Sequence, residues 1–173
     1  MDLIEKKIQT SDIDYHNIKD FMKRVFPKEE LFPMWLLMLL GKSKRCCFHS
    51  FYKDELFIGI VYTIEFQKIL HIKYLAVHDT LHSNGYGSEI LSIIKNRYGK
   101  KTITLFIETL DTSAMNYTQR VKRSQFYKKH NFYSSGIKIG NKIPLYELLS
   151  TSPEFCAKDC KTLLRFIPMK VFS

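Results

Sequence analysis

The chain has 173 residues, 45% of them hydrophobic, 25% charged and 14% aromatic, with a formal net charge of +10. That size and composition support a single domain over residues 1–173 whose core needs no metal or disulfide staple, and they exclude a disordered chain. Lys and Arg are spread along the whole length, densest at Lys42-Ser43-Lys44-Arg45, Lys100-Lys101 and from Arg120 to Lys129, so the charge reads as a solvated basic surface and not as a nucleic-acid footprint. In chain order, residues 3–10 read as a short strand. Ser11-Asp12-Ile13-Asp14 fits a variant capping box with Ser11 as N-cap, opening a helix with Ile18, Phe21, Met22 and Val25 at helical spacing. Pro27 ends that helix. After Phe32-Pro33 a second, wholly apolar helix runs to Leu40, with Gly41 as its stop; its residues, Trp35 among them, are expected to pack in the core, with lining a channel as the alternative.

The period then changes from helix to strand. Residues 45–53 and 56–66 form a hairpin about Lys53-Asp54-Glu55, and Gln67-Lys68 turns the chain into a third strand, 69–77. From His78 a polar loop leads to Gly85 and a helix through Tyr98, with Ile90, Leu91, Ile94 and Tyr98 on one face. A strand follows at 102–108, a helix near 118–130, a closing hairpin (132–139 and 143–149) about Gly140-Asn141, and a short helix near 154–165. The order predicts a mixed α/β (α+β) domain: a central, mostly antiparallel, twisted sheet with helices on both faces, its core at about residues 3–150 and a short helical segment within 151–173.

Cys46, Cys47, Cys156 and Cys160 have neither CxxC nor finger spacing, so no metal site is expected and the thiols read as free. The start, Met1-Asp2-Leu3-Ile4-Glu5, does not read as a signal peptide, and the apolar run Met34–Leu40 is too short to span a bilayer. A cytoplasmic protein without membrane attachment is the expectation.

The most informative stretch runs from Tyr74 to Leu91. A strand stops, the chain turns through His82-Ser83-Asn84-Gly85-Tyr86-Gly87, and a helix begins with glycines at its start. Glycines there let backbone approach a ligand; unsatisfied amides and the helix dipole then favour an anion such as pyrophosphate. Only Gly85 and Gly87 are present, so the dinucleotide fingerprint is incomplete. Gly41-Lys42-Ser43 is not a P-loop, because Leu36 stands where that motif needs glycine and a helix precedes it.

This loop resembles the phosphate loop of the GCN5-related N-acetyltransferase (GNAT) family, Arg/Gln-x-x-Gly-x-Gly/Ala, with His82 in place of Arg or Gln. A second segment, Ser124-Gln125-Phe126-Tyr127-Lys128-Lys129-His130-Asn131-Phe132, is similar to the family's helix ending in a Phe/Leu-Tyr pair before a Gly-Phe; Asn131 stands for that glycine, as a residue tolerant of left-handed angles. The resemblance covers roughly residues 3–150. It implies the acyl-CoA N-acyltransferase fold, acetyl-CoA as cofactor and an acetyltransferase activity. It implies further that the backbone of Leu75, Ala76 and Val77 pairs with the pantetheine arm like an added strand, and that the loop His82, Ser83, Asn84, Gly85, Tyr86, Gly87 and Ser88 holds the pyrophosphate.

Transfer to an amine needs a neutral amine, a held thioester and a proton for the leaving thiolate. Tyr127 is the expected acid, matching the family's tyrosine near the cofactor sulfur, and Glu108 the expected base at a strand end, each weighed against a structural role. Asp111 and Asn116 are candidates for acceptor contact; Arg120 and Arg123 either meet the cofactor phosphates or are solvated. His71, His78 and His130 read as structural or surface residues. The expected partners are a small-molecule or peptide amine acceptor and no nucleic acid, in a monomer or homodimer. The alternatives are a non-catalytic CoA-binding module of this fold and a basic nucleic-acid-binding domain.

Overall fold

The structure is a computed structural model and describes residues 3–140 and 145–164. Its strands are β1 (Ile4–Lys7), β2 (Cys46–Lys53), β3 (Leu56–Phe66), β4 (Ile69–Val77), β5 (Thr102–Glu108), β6 (Tyr133–Ile139) and β7 (Tyr146–Ser150). Its helices are α1 (Tyr15–Val25), α2 (Met34–Leu40), α3 (Tyr86–Tyr98), α4 (Tyr117–Lys129) and α5 (Ala157–Leu164), with a 3-10 turn at Asp79–Leu81. The strands form one mostly antiparallel seven-stranded sheet in the order β1-β2-β3-β4-β5-β7-β6. The chain divides into two compact units, Met1–Glu65 with Ile72–Arg97, and Phe66–His71 with Tyr98–Ser173.

In the first unit the β2–β3 hairpin closes at Lys53↔Leu56. The two loop residues, Asp54 and Glu55, both take left-handed angles (φ 47° and 70°), the backbone that a two-residue hairpin turn requires. The register shifts between Phe51 and Tyr52, leaving Ile58 as an extra residue beside Gly59. A Cβ at Gly59 would lie 2.2 Å from the Ala76 carbonyl oxygen, so only glycine lets β3 and β4 meet there. The His78 amide then donates to the Ile58 carbonyl at 2.8 Å and fixes the end of β4. Phe48, Phe51, Ile58, Ile60 and Tyr62 are fully buried along these strands, and Ile18 and Met22 of α1, Leu37 of α2, and Ile90 and Leu91 of α3 are fully buried with them.

Two expectations change in this unit. The N-cap of α1 is Asp14, not Ser11. The Asp12 carboxylate accepts the Gln9 amide at 2.6 Å and its carbonyl accepts the Tyr15 amide at 3.0 Å, so a turn occupies the residues of the expected capping box. Asp14 in turn accepts the Tyr52 hydroxyl at 3.0 Å. In α2 only Met34 and Leu37 are buried, while Trp35 and Leu39 are 66% and 54% exposed, because a seven-residue helix presents one stripe to β2. Pro27 acts as expected: the preceding Phe26 is extended (φ −110°, ψ 138°) and α1 stops at Val25. The segment between α1 and α2 is strapped to β4 by Tyr74, whose hydroxyl donates to the Glu30 carbonyl (2.7 Å) and accepts the Phe32 amide (3.0 Å).

In the second unit β7 pairs with β5 from Thr104↔Ser150 to Glu108↔Tyr146, and on its other side with β6. The expected turn at Asn141 and the start of the strand placed at 143–149 lie outside the described residues; the observed strand is Tyr146–Ser150. α5 begins at Ala157, later than position 154, with the Asp159 carboxylate reaching back to the Cys156 amide at 3.2 Å. His71 is a buried core residue, its Nδ1 3.1 Å from Thr104 Oγ1 and its ring edge-on to Phe106. Among the described residues no helix is long and apolar enough to cross a membrane.

Candidate functional site

The first unit carries the loop that follows β4. Leu75, Ala76 and Val77 close the strand, half-buried. After the turn at Asp79–Leu81 the backbone is extended at His82 (φ −60°, ψ 151°), left-handed at Ser83 (φ 68°) and left-handed again at Gly85 (φ 84°). A Cβ at Gly85 would meet nothing within 4 Å. Glycine is therefore needed there for its backbone angle, and the space in front of it stays open. The Glu89 amide makes the first helical hydrogen bond, to the Gly85 carbonyl at 3.0 Å. Among the described residues the amides of Gly85, Tyr86 and Gly87 donate to no backbone carbonyl, as the start of a helix dictates. His82, Ser83, Asn84 and Gly85 are exposed, and Tyr86, Gly87 and Ser88 half-buried. The amides of Gly85, Tyr86 and Gly87 are thus an open row at the positive end of α3, chemically suited to an anion.

The His82 imidazole does not extend this row. Its Nε2 lies 2.9 Å from the Val77 carbonyl, where it donates its proton back to the strand it follows. A cation unremarked in the sequence stands beside the loop instead: Lys53 Nζ sits 5.6 Å from the centre of the Tyr86 ring. Nothing local in the sequence signals this, since Lys53 and Tyr86 meet only through the pairing of β2, β3 and β4.

The second unit carries the acid and base candidates. The Glu108 carboxylate ends β5, with its side chain only 10% exposed, and is engaged by three side chains. Arg120 Nη2 lies 3.1 Å from Oε1 and Arg123 Nη1 3.0 Å from Oε2. Asn116 Nδ2 lies 3.2 and 3.1 Å from the two oxygens. Arg120 is buried, with Nε donating to Asn116 Oδ1 at 2.7 Å and Nη1 to the Thr109 carbonyl at 2.9 Å. Arg120, expected either to meet the cofactor phosphates or to be solvated, is buried with donors on Asn116 and Thr109 and its charge paired with Glu108, as a buried guanidinium demands. Arg123 is half exposed, yet it too is turned to Glu108. The four contacts fall two on each carboxylate oxygen, so in this arrangement Glu108 is a clamp between β5 and α4.

Asn116 is the N-cap residue of α4, and its amide is committed to the clamp. Asp111 is exposed and organises the loop before α4: the Ser113 amide (2.9 Å) and hydroxyl (2.6 Å) donate to it and hold its carboxyl below the usual range.

Tyr127 lies in the last turn of α4, which ends as the sequence predicts. Asn131 is left-handed (φ 55°); its amide donates to the Lys128 carbonyl (3.1 Å), and the Phe132 amide reaches back to the Tyr127 carbonyl (3.0 Å). These two bonds are the Schellman pair, and the edge-on contact of the Tyr127 and Phe132 rings, 5.5 Å between centres, supplies its apolar contact. Burial pushes the Tyr127 hydroxyl up to about 12, Arg123 offsetting a part. The phenol therefore keeps its proton at any neutral or mildly alkaline pH, the state an acid needs.

These features define a fold class: the seven-stranded, mostly antiparallel sheet with its helices is the fold of the GNAT acetyltransferases. A structure described as a GNAT-family acetyltransferase from Bacteroides thetaiotaomicron superposes with a TM-score of 0.72 at 21% identity, over 94% of this chain and 93% of the other. The ribosomal-protein-S18-alanine N-acetyltransferase from Escherichia coli matches with a TM-score of 0.65 at 12% identity, over 91% and 97%. A GNAT-family acetyltransferase from Elizabethkingia anophelis with acetyl-CoA bound matches with a TM-score of 0.62 at 10% identity, over 87% and 98%. No family model matches the sequence, and no curated protein matches it. At these identities the likeness is one of fold.

Proposed function

We propose that this chain is an N-acetyltransferase of the GNAT family that moves the acetyl group of acetyl-CoA to a primary amine by direct attack. The observation that carries the proposal is the loop from His82 to Ser88, with its left-handed Ser83 and Gly85 and open amides at Gly85, Tyr86 and Gly87, following β4 in this fold. That row fits a pyrophosphate, and the backbone of Leu75, Ala76 and Val77 fits the amides of a pantetheine arm. Acetyl-CoA would supply an activated acyl thioester.

In the proposed reaction a neutral amine nitrogen attacks the thioester carbonyl, the C–N bond forms and the C–S bond breaks. Tyr127 gives its proton to the departing thiolate, and the amine's surplus proton leaves to a base. Glu108 takes that proton only through Oε2, after Arg123, the exposed partner, has let go; with Arg123 in place it holds the loop and α4 in register. The acceptor is assigned as a small-molecule or peptide amine.

Calorimetry with acetyl-CoA tests the binding half of the proposal, and thiol release across amines, polyamines, antibiotics and peptide amino termini tests the transfer half. Absence of acetyl-CoA binding would sink the proposal. Binding without transfer to any amine would leave a non-catalytic CoA-binding module, the reading that the clamped Glu108 favours. Steeply salt-dependent binding to DNA or RNA is the mark of the nucleic-acid reading, and a flat response removes it.

A further inference from the structure

We propose that Lys53, at the β2–β3 turn, is the side chain that neutralises the cofactor's pyrophosphate, in the role that the residue at position 82 does not fill. The inference rests on the acetyl-CoA reading above. Three observations within the first unit carry it. The His82 ring is engaged with the Val77 carbonyl at 2.9 Å, so the position where the family pattern has Arg or Gln adds no free donor toward the amide row. Lys53 Nζ lies 5.6 Å from the centre of the ring of Tyr86, the first residue of α3, whose own amide and those of Gly85 and Gly87 are the open donors. Among the described residues Lys53 has no ion-pair partner, and only a ring face holds its ammonium.

The hairpin makes this placement firm. Lys53 is the last ladder residue of β2, paired with Leu56, and the left-handed pair Asp54 and Glu55 fixes the turn after it. The lysine is thus delivered by a strand end. Asp54 and Glu55 are exposed in that turn, and their carboxylates would repel an anion, which makes a cation on the loop side the more necessary. A long flexible stem lets the ammonium leave the Tyr86 ring and meet a phosphate oxygen, exchanging a weak cation–π contact for a charge-assisted hydrogen bond.

The test compares wild type, Lys53→Gln and Lys53→Arg by calorimetry with two ligands, acetyl-CoA and its 3′-dephospho form, which keeps the pyrophosphate. Lys53→Gln is expected to weaken both ligands by about tenfold, the size of one lost hydrogen bond to a charged group, while Lys53→Arg binds as wild type does. Melting curves of the variants should coincide with wild type, since the position is a turn flank. Unchanged affinity in Lys53→Gln, with wild type binding normally, overturns the inference and leaves the acetyl-CoA reading standing. A loss seen with acetyl-CoA but not with the dephospho form also overturns it, because the lysine would then serve the 3′-phosphate. Failure of the wild type to bind either ligand overturns the cofactor reading and this inference together.

Discussion

Tyr127 and Glu108 illustrate how far a residue's identity determines its chemistry. Tyr127 stands at the end of α4, where burial holds its hydroxyl at about 12 and so keeps it protonated. On the proposed mechanism Tyr127→Phe lowers kcat by about 10–100-fold, because a thiolate is a good leaving group and needs modest help. An acid titrating this high produces no falling limb of kcat/KM below pH 10; a fall centred near pH 8 that disappears in Tyr127→Phe would contradict the value. Glu108 is the opposite case. Its carboxylate and the Arg120 guanidinium, with side chains 10% and 6% exposed, are a buried pair. Glu108→Gln leaves that guanidinium without a counter-charge, and chemical denaturation should show a loss of about 3 kcal/mol. A variant that is fully stable yet inactive would identify Glu108 as the base and not the clamp. Both residues stand out in the sequence, but only the partners converging on Glu108 show that it starts out occupied.

At the scale of elements, local signals decided most boundaries. Pro27 and the extended Phe26 stop α1, and the Asp54-Glu55 pair turns β2 into β3. Asn131 closes α4 by accepting the left-handed angle its position requires. Asn131→Gly should be neutral, while Asn131→Val should cost about 1–2 kcal/mol in thermal or urea unfolding, since a β-branched side chain resists φ near 55°. The expectations that failed did so where neighbours compete. Ser11 lost the N-cap because Asp12 bonds the Gln9 amide first. Trp35 sits outside the core because α2 has only one buried stripe, and an all-apolar helix gives no periodicity from which to read that stripe.

At the scale of the whole molecule, segments distant in sequence are joined by groups whose meaning is invisible locally. Glu5 of β1 meets His49 Nδ1 of β2 at 2.7 Å and Arg97 Nη1 of α3 at 2.8 Å. Burial raises the Glu5 carboxyl, but the bonds from His49 and Arg97 outweigh it and hold it down to about 2. Because the folded value lies below the unfolded one, near 4.5, the carboxylate contributes stability above pH 4.5 and loses it as pH falls toward 2. Glu5→Gln should therefore cost about 1–2 kcal/mol at pH 7, after allowance for solvent screening, and the gap to wild type should close on acidification; a gap constant from pH 7 to 3 would contradict the assignment. The order of strands and helices, the stop at Pro27, the cap at Asn131 and the glycine loop after β4 are legible in the residues alone, because they depend on hydrophobic period and on backbone angles that few residues accept. That Glu108 is clamped, that Arg120 is buried against it, that His82 bonds Val77 and that Lys53 stands beside Tyr86 follow from packing. Those facts depend on which side chains meet across the fold, and side-chain partners separated by tens of residues leave no periodic trace in a single chain.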